Sequence, residues 1–344
     1  MAKRQPALGS SWRPVDLVPL LKGRRTERPP RLVRRADGLH LLYRSKLHFV
    51  YGEPESGKGW FALHASAERL REGERVVYID FEDDEREAVT RLLALGVPKK
   101  VIATQFAYVR PDEPLTEEAW RELDVALDPS PALVVLDGVT EALANEGVKL
   151  EDNTEVARWI TRLPRRLARA GAAVIVIDHV VKDREARGRY AIGAQHKLAG
   201  ADVSFRVEGR ETFGRGKSGS VRVLVTKDRP GYLRACGMRT SPGVDWIADM
   251  CVSSSSDDSV AIELAPPRRR DGDFLPTRQM EDASRLIEET PGIGAKALRV
   301  VPGDNTALPL ALTELEKDKY IEIRKEGSKH AHYSVKPYRE GEEA

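Results

Sequence analysis

The chain has 344 residues, 41% hydrophobic and 32% charged, and its 56 Lys and Arg nearly cancel 54 Asp and Glu. The formal charge of +2 excludes a polybasic coat protein and an acidic disordered chain, and it confines any nucleic-acid contact to a local patch. Two cysteines, Cys236 and Cys251, cannot build a disulfide framework or a zinc cluster. No apolar run reaches the roughly 20 residues of a transmembrane helix, and no apolar core follows the basic N-terminal residues as a signal peptide requires. These features predict a cytoplasmic protein with reduced thiols and no membrane partner, of roughly two domains at about 150 residues each.

Residues 1–40 are basic and proline-rich and read as a flexible arm, in which Val15 to Leu21 supplies the apolar side chains for one docking turn of helix. From residue 41 strands and helices alternate. Lys46 to Tyr51 is β-rich and is followed by a glycine-bearing loop and a helical stretch, Trp60 to Leu70. Val76 to Phe81 is a second strand and Asp84 to Leu95 a second helix. Ala132 to Leu136 and Ala172 to Ile177 are near-continuous apolar runs, the pattern of parallel strands buried on both faces. Between them, Thr154 to Ala170 carries Val156, Ile160, Leu163 and Leu167 at helical spacing. Such alternation predicts an α/β fold with a parallel central sheet and right-handed crossovers.

The later part turns strand-rich, with Ala201 to Val207, Val221 to Val225, Trp246 to Cys251 and Val260 to Leu264, and a loop over 253–258. Residues 266–276 read as a linker, 277–338 as a small second domain and 339–344 as a tail. In the small domain Met280, Ala283, Leu286 and Ile287 share a helical face, and Ala295 and Leu298 begin a second short helix. Asn305 caps a third helix that runs to Lys317. Tyr320 to Arg324 and His332 to Val335 form a hairpin about Gly327 and Ser328, so the plan is that of a winged helix.

The strongest chemical signal is Gly52-Glu53-Pro54-Glu55-Ser56-Gly57-Lys58, a G-x-x-x-x-G-K loop between a strand and a helix, with Gly59 and Trp60 completing the expected nucleotide-binding set. Glycines let backbone N–H groups wrap phosphates, and Lys58 supplies a cation to the β and γ oxygens. The next position normally holds the Ser or Thr whose hydroxyl binds Mg²⁺; here it is Gly59, so nucleotide binding follows more firmly than hydrolysis. Either water replaces that hydroxyl, or Ser56 moves in, or the site binds nucleotide with weakened metal coordination. Asp137 ends an apolar strand and suits the role of orienting the metal.

Glu82 lies just past the second strand and is the candidate base for the attacking water, while Asp84 and Glu85 cap the following helix. Glu141 competes with Glu82 for that role. His179 follows the next apolar run and is placed to sense the γ-phosphate from the sheet's edge, a structural histidine being the plainer alternative.

Taken in order, Gly52 to Lys58, Phe81-Glu82-Asp83, Leu133 to Asp137, Asp178-His179 and Thr226-Lys227-Asp228-Arg229-Pro230-Gly231 resemble the RecA-like hexameric helicase group. Within it the likeness is to plasmid RepA-type replicative helicases and related actinobacterial and phage AAA ATPases, over about residues 41–265. The resemblance implies ATP and Mg²⁺ as cofactors, bound between subunits of a homo-oligomeric ring. It makes Glu82 the catalytic glutamate and His179 the γ-phosphate sensor, with Lys227 and Arg229 reaching into a neighbouring subunit's site.

Two basic, glycine-bearing loops suit a nucleic-acid backbone. One holds Arg184, Arg187, Arg189 and Lys197 with Tyr190 among them, and the other holds Arg210, Arg215 and Lys217. The C-terminal hairpin carries Arg324, Lys325, Lys329, His330, His332 and Lys336, while Glu314, Glu316 and Asp318 on the preceding helix argue against reading a major groove. The expected function is an ATP-hydrolysing, helicase-like oligomeric motor acting on DNA in replication or recombination for a mobile element or phage. The competing expectation is a nucleotide-gated DNA-binding regulator or loader with little turnover.

Overall fold

A computed structural model describes residues 14–22, 29–179, 200–255, 258–267, 277–301, 307–326 and 329–339. The N-terminal apolar stretch forms a five-residue helix, α1 (Val18–Lys22). An antiparallel pair then follows, β1 (Leu32–Arg34) and β2 (His40–Leu42), with Leu32 opposite Leu42. Leu32, Val33, Leu41 and Leu42 are buried, so the packed body begins inside the stretch read as an arm. Arg35 is also buried. Its guanidinium bonds Asp37 and the Ile247 carbonyl, which ties the hairpin to the far part of the core.

The core runs β3 (Leu47–Gly52), α2 (Lys58–Arg71), β4 (Val76–Asp80), α3 (Glu85–Ala94), α4 (Lys99–Gln105), β5 (Phe106–Val109), α5 (Glu117–Ala126), β6 (Leu133–Asp137), α6 (Val139–Asn145), α7 (Asn153–Arg162), α8 (Pro164–Arg169) and β7 (Ala173–His179). It continues with β8 (Val203–Glu211), β9 (Gly219–Asp228), β10 (Met238–Ser241), β11 (Val244–Ser254) and β12 (Val260–Ala265). These form one ten-stranded sheet, in which β8-β3-β7-β6-β4-β5 are mutually parallel. The remaining β9, β11, β10 and β12 extend it antiparallel from β8. Among the described residues no helix is long and apolar enough to cross a membrane.

Both faces of the parallel strands are covered, which is why their sequences are near-continuously apolar. Alternate residues enter opposite cores: Val50 packs with Phe61, Leu70, Leu92 and Ile102 beneath α2 to α4, whereas Phe49 and Tyr51 pack with Leu123, Leu143, Trp159 and Leu167 beneath α5 to α8.

The helix expected over Thr154 to Ala170 is two helices, broken at Leu163. Pro164 opens the second because it has no N–H to give and its ring crowds the preceding turn, so it sits at N1 where neither matters. The short strand β5 and helices α4 to α6 lie between the elements that periodicity identified. Strand β11 also runs on through Ser254, beyond the start of the expected loop.

In the C-terminal unit α9 (Thr277–Glu289) and α10 (Ala307–Lys317) pack with Leu298, Ile293 and Ile321 around one small core. The second short helix is a single 3-10 turn, Ala297–Val300. The hairpin is β14 (Ile321–Glu326) with β15 (Lys329–Ser334), and the two-residue strand β13 (Ile293–Gly294) pairs with β15. Asn305, Gly327 and Ser328 lie outside the described residues.

Candidate nucleotide site

The loop from Gly52 to Lys58 leaves the C-terminal end of β3, with β7 and β8 as its parallel neighbours. This is the crevice at which open parallel sheets hold ligands, since β7 and β8 leave β3 on opposite sides. Gly52 is demanded by packing: a Cβ there would lie 2.3 Å from the Val207 carbonyl oxygen and 2.7 Å from Ser56 Oγ. Gly57 adopts φ +93°, a left-handed conformation open to glycine, and turns the chain into α2. The N–H groups opening a helix of 14 residues face outward there, an anion-binding arrangement.

Lys58 is buried at the mouth of this loop. Its Nζ donates to the carbonyls of Gly52 (3.1 Å) and Glu53 (2.8 Å) and lies 3.3 Å from His179 Nδ1. Burial pulls its pKa below that of an ordinary lysine, while Asp137, Glu82 and Asp178 oppose the fall. The other nitrogen of His179 lies 3.0 Å from Glu82 Oε1. That hydrogen bond holds Glu82 below the usual carboxylate range and His179 above the usual histidine range. His179 ends β7, beside β3 and in the middle of the sheet, not at the sheet's edge where the sequence reading put it.

Asp137 stands opposite Asp80 in the β4–β6 register. Tyr78 donates its hydroxyl to Asp137 Oδ2 at 2.5 Å, yet burial pushes the Asp137 pKa up to about 6. Asp80 accepts the N–H groups of Glu82 and Asp83, both at 3.0 Å, and the Tyr108 hydroxyl at 2.9 Å. It thereby fixes the turn that presents Glu82. Gly138 supplies the room: a Cβ there would lie 2.7 Å from Glu82 Cγ. Glu141, pushed up by burial and by the neighbouring Glu82 charge, is the more protonated of the two competing carboxylates. Asp84 caps α3 as its sequence position indicates, accepting from Arg86 and Glu87.

A cavity of about 430 Å³ joins these groups, lined by Ser56, Lys58, Gly59, Glu82, Asp137 and His179 among others. Its outer lip is aromatic and cationic. The Trp60 ring meets Phe213 edge-on at 6.4 Å, and the Arg91 guanidinium lies 5.8 Å from the Trp60 centroid. Phe213, Arg91 and Tyr78 were not legible as site residues, because each belongs to an element that reaches the cavity only through the fold. Ser56 Oγ is buried without a hydrogen-bond partner, as a hydroxyl awaiting a phosphate oxygen or metal-bound water would be. No heavy atom lies within 4 Å of a Cβ built on Gly59.

A family model described as AAA domain matches residues 13–185, from the N-terminal arm to just past β7. The chain belongs to the AAA domain family. Its core is accordingly a nucleotide-binding P-loop ATPase domain, and the mixed, largely parallel sheet is what such a core requires. No curated protein matches the chain.

The matched region excludes Lys227 and Arg229, which the sheet places away from the cavity. Strand β9 runs antiparallel to β8, so Lys227 lies opposite Ser204, near the start of the parallel strands, and Arg229 follows. Along the register Lys227 is three residues and Arg229 five residues from the Gly52 end, about 10 Å and about 17 Å at ~3.3 Å each. Arg229 is half-exposed; its Nη1 is 3.4 Å from Asp202, which also binds Arg165 at 2.6 Å. Lys227 is half-buried, and desolvation together with Arg229 lowers its pKa.

Arg187, Arg189 and Lys197 lie outside the described residues. Arg215 and Lys217 are exposed on the β8–β9 connection, with Arg215 3.3 Å from Asp258. Lys329 begins β15, and His332 of the same strand is not a surface cation: it is buried, with Nδ1 2.8 Å from the Ile293 carbonyl. Glu314 is likewise buried, 3.3 Å from Lys317, rather than part of an acidic outer face.

Proposed function

We propose that the chain binds ATP with Mg²⁺ and hydrolyses it, as a ring-forming RecA-like ATPase that works on DNA in replication or recombination of a mobile element or phage. The observation that carries this reading is the convergence of Lys58, Glu82, Asp137 and His179 on one cavity at the helix N-terminus. Lys58 and the loop N–H groups would hold the β and γ phosphates. Asp137, with the unpartnered Ser56 hydroxyl, fits a hexahydrate-like cation that needs one or two carboxylates and keeps several waters. Such an ion, when bound, neutralises charge on the phosphates.

Glu82 is the anionic member of its carboxylate pair and acts as the base toward water. His179 sits between Glu82 and Lys58, so a terminal phosphate drawn to Lys58 would be reported to Glu82 through the imidazole. Trp60, with Phe213 and Arg91, offers a face on which the base stacks. Arg229 does not reach the chain's own cavity and acts on a neighbour's, where an arginine supplied in trans is worth about 10³- to 10⁵-fold in rate. Arg215 and Lys217, with Arg187, Arg189 and Lys197, would follow single-stranded DNA, and Lys329 on the C-terminal winged helix would grip duplex phosphates.

Phosphate release from ATP and Mg²⁺, measured with and without single-stranded DNA, tests this reading, with Lys58→Ala as control. DNA-stimulated release that vanishes in the control is expected. Gly59 favours a second reading, a nucleotide-gated DNA regulator or loader; tight ATP binding that alters DNA affinity without release would select it.

A further inference from the structure

Asp202 stands just before β8, at the end of the parallel strands away from the nucleotide cavity, and its side chain is 3% exposed. Its Oδ2 accepts the Leu47 N–H at 3.0 Å and Arg165 Nη1 at 2.6 Å, and its Oδ1 faces Arg229 Nη1 at 3.4 Å. Its backbone carbonyl accepts the Arg229 N–H at 2.9 Å, so one residue holds Arg229 at both ends. The turn that carries Arg229 is fixed as well. Asp228 Oδ2 accepts the N–H groups of Leu233 (2.8 Å) and Arg234 (3.2 Å), and its Oδ1 accepts the Tyr43 hydroxyl at 3.1 Å. With the backbone held on both sides, the motion left to Arg229 is rotation of its side chain.

The two arginines on Asp202 are held unequally. The Arg165 side chain is 21% exposed and its other amino group donates to the Gly200 carbonyl, whereas the Arg229 side chain is 57% exposed. Burial by itself would raise the Asp202 pKa, yet the Leu47 N–H, Arg165 and Lys46 hold it below the ordinary carboxylate range. Asp202 therefore stays an anion, with a charged partner at 2.6 Å, when Arg229 turns away. That pairing matters, because a buried charge stripped of its partner is strongly destabilising. Lys227 adds a further cation, its pKa lowered by desolvation and then by Arg229, so the cluster holds more positive charge than Asp202 alone cancels.

We propose that Asp202 is the positioning residue of Arg229, holding the guanidinium ready outside its own cavity, and that Arg165 keeps Asp202 paired when Arg229 passes to the terminal phosphate in a neighbouring subunit. The inference rests on the reading that Arg229 acts in trans. Neither Asp202 nor Arg165 touches a reacting atom. They act by setting where the guanidinium waits, and a misplacement of about 1 Å in such a group costs about 10²-fold in rate.

The test is steady-state ATP hydrolysis by the full chain with Mg²⁺ and an oligo-dT strand, in single variants and pairwise mixtures, with circular dichroism to verify folding. Asp202→Asn is expected to lower kcat about 10- to 100-fold with KM and nucleotide Kd unchanged. Asp202→Asn combined with Arg229→Ala should be no slower than Arg229→Ala alone. Mixing Asp202→Asn with Glu82→Gln subunits should restore part of the activity, and mixing it with Arg229→Ala subunits none, since both then lack a working donor. Arg165→Lys should keep most of the rate and Arg165→Met lose about tenfold with the same mixing pattern. A folding defect would not reproduce that pattern, and the Arg165 pair carries the test if Asp202→Asn does not fold. Wild-type kcat in Asp202→Asn or Arg165→Met, or activity restored by mixing either with Arg229→Ala, would overturn the inference and leave the trans reading standing. Full turnover in Arg229→Ala, no rescue of it by Glu82→Gln, or no turnover by the wild type would remove that reading and the inference with it.

Discussion

Replacing Asp137 by Asn separates the cost of the site from its use. Asp137 is buried beside Asp80 and Glu82, and its pKa is pushed from the ordinary 3.8 to about 6. Between those values the folded chain binds a proton that the unfolded chain has released, so this residue makes stability fall as pH rises from about 4 to 6. Above 6 the whole penalty is present. Two units at ~1.4 kcal/mol each make it about 3 kcal/mol at pH 7.5. Asn keeps the acceptor for the Tyr78 hydroxyl and removes the charge. The Asp137→Asn variant should therefore be more stable than wild type to urea at pH 7.5, by up to about 3 kcal/mol, and by only about 1 kcal/mol at pH 4.5. Added nucleotide and Mg²⁺ should stabilise wild type more than the variant, because a cation offsets the buried carboxylate. A gain of the same size at both pH values, or a loss at pH 7.5, would refute the electrostatic account.

Further outcomes follow from the same geometry. Gly59→Ser meets open space and relieves a glycine in a helix, so thermal stability should hold or rise by about 0.5 kcal/mol, and Mg²⁺-dependent phosphate release should increase. Unchanged or lower release would show that the missing hydroxyl is supplied by another group. Gly52→Ala forces a Cβ into the Val207 carbonyl at 2.3 Å and should destabilise by ~1–3 kcal/mol in a denaturant titration while abolishing nucleotide binding. Trp60→Ala should raise the Kd of a nucleotide about tenfold, with binding of tripolyphosphate unchanged; equal losses for both would remove the base-stacking role. Arg229→Ala should retain nucleotide binding and lose turnover about 10³-fold, and mixing it with Glu82→Gln subunits should restore part of the activity. Mixtures that stay inactive would place Arg229 outside the reaction.

Much of this molecule was decided by local pattern. The apolar runs ending at Tyr51, Leu136 and Ile177 are strands buried on two faces, a condition that leaves no polar alternation, and their alternation with helical stretches points to a parallel sheet. The loop from Gly52 to Lys58 determines its own turn, since its glycines and lysine are close in sequence and their chemistry needs no partner. Pro164 likewise carries the break between α7 and α8 within itself, though helical spacing alone runs through it. What tertiary structure decided is adjacency. Only the strand order sets β7 between β3 and β6, and so brings His179 within reach of both Lys58 and Glu82, residues separated from it by about a hundred positions. The lip formed by Phe213 and Arg91 against Trp60 has no sequence signature, because its members come from three elements that meet only when the sheet has formed. Burial is the other tertiary decision. It separates a solvated cation from a core group in His332, and it raises Asp137 toward neutrality, and neither follows from residue type, since the cost of a charge depends on the water removed from around it.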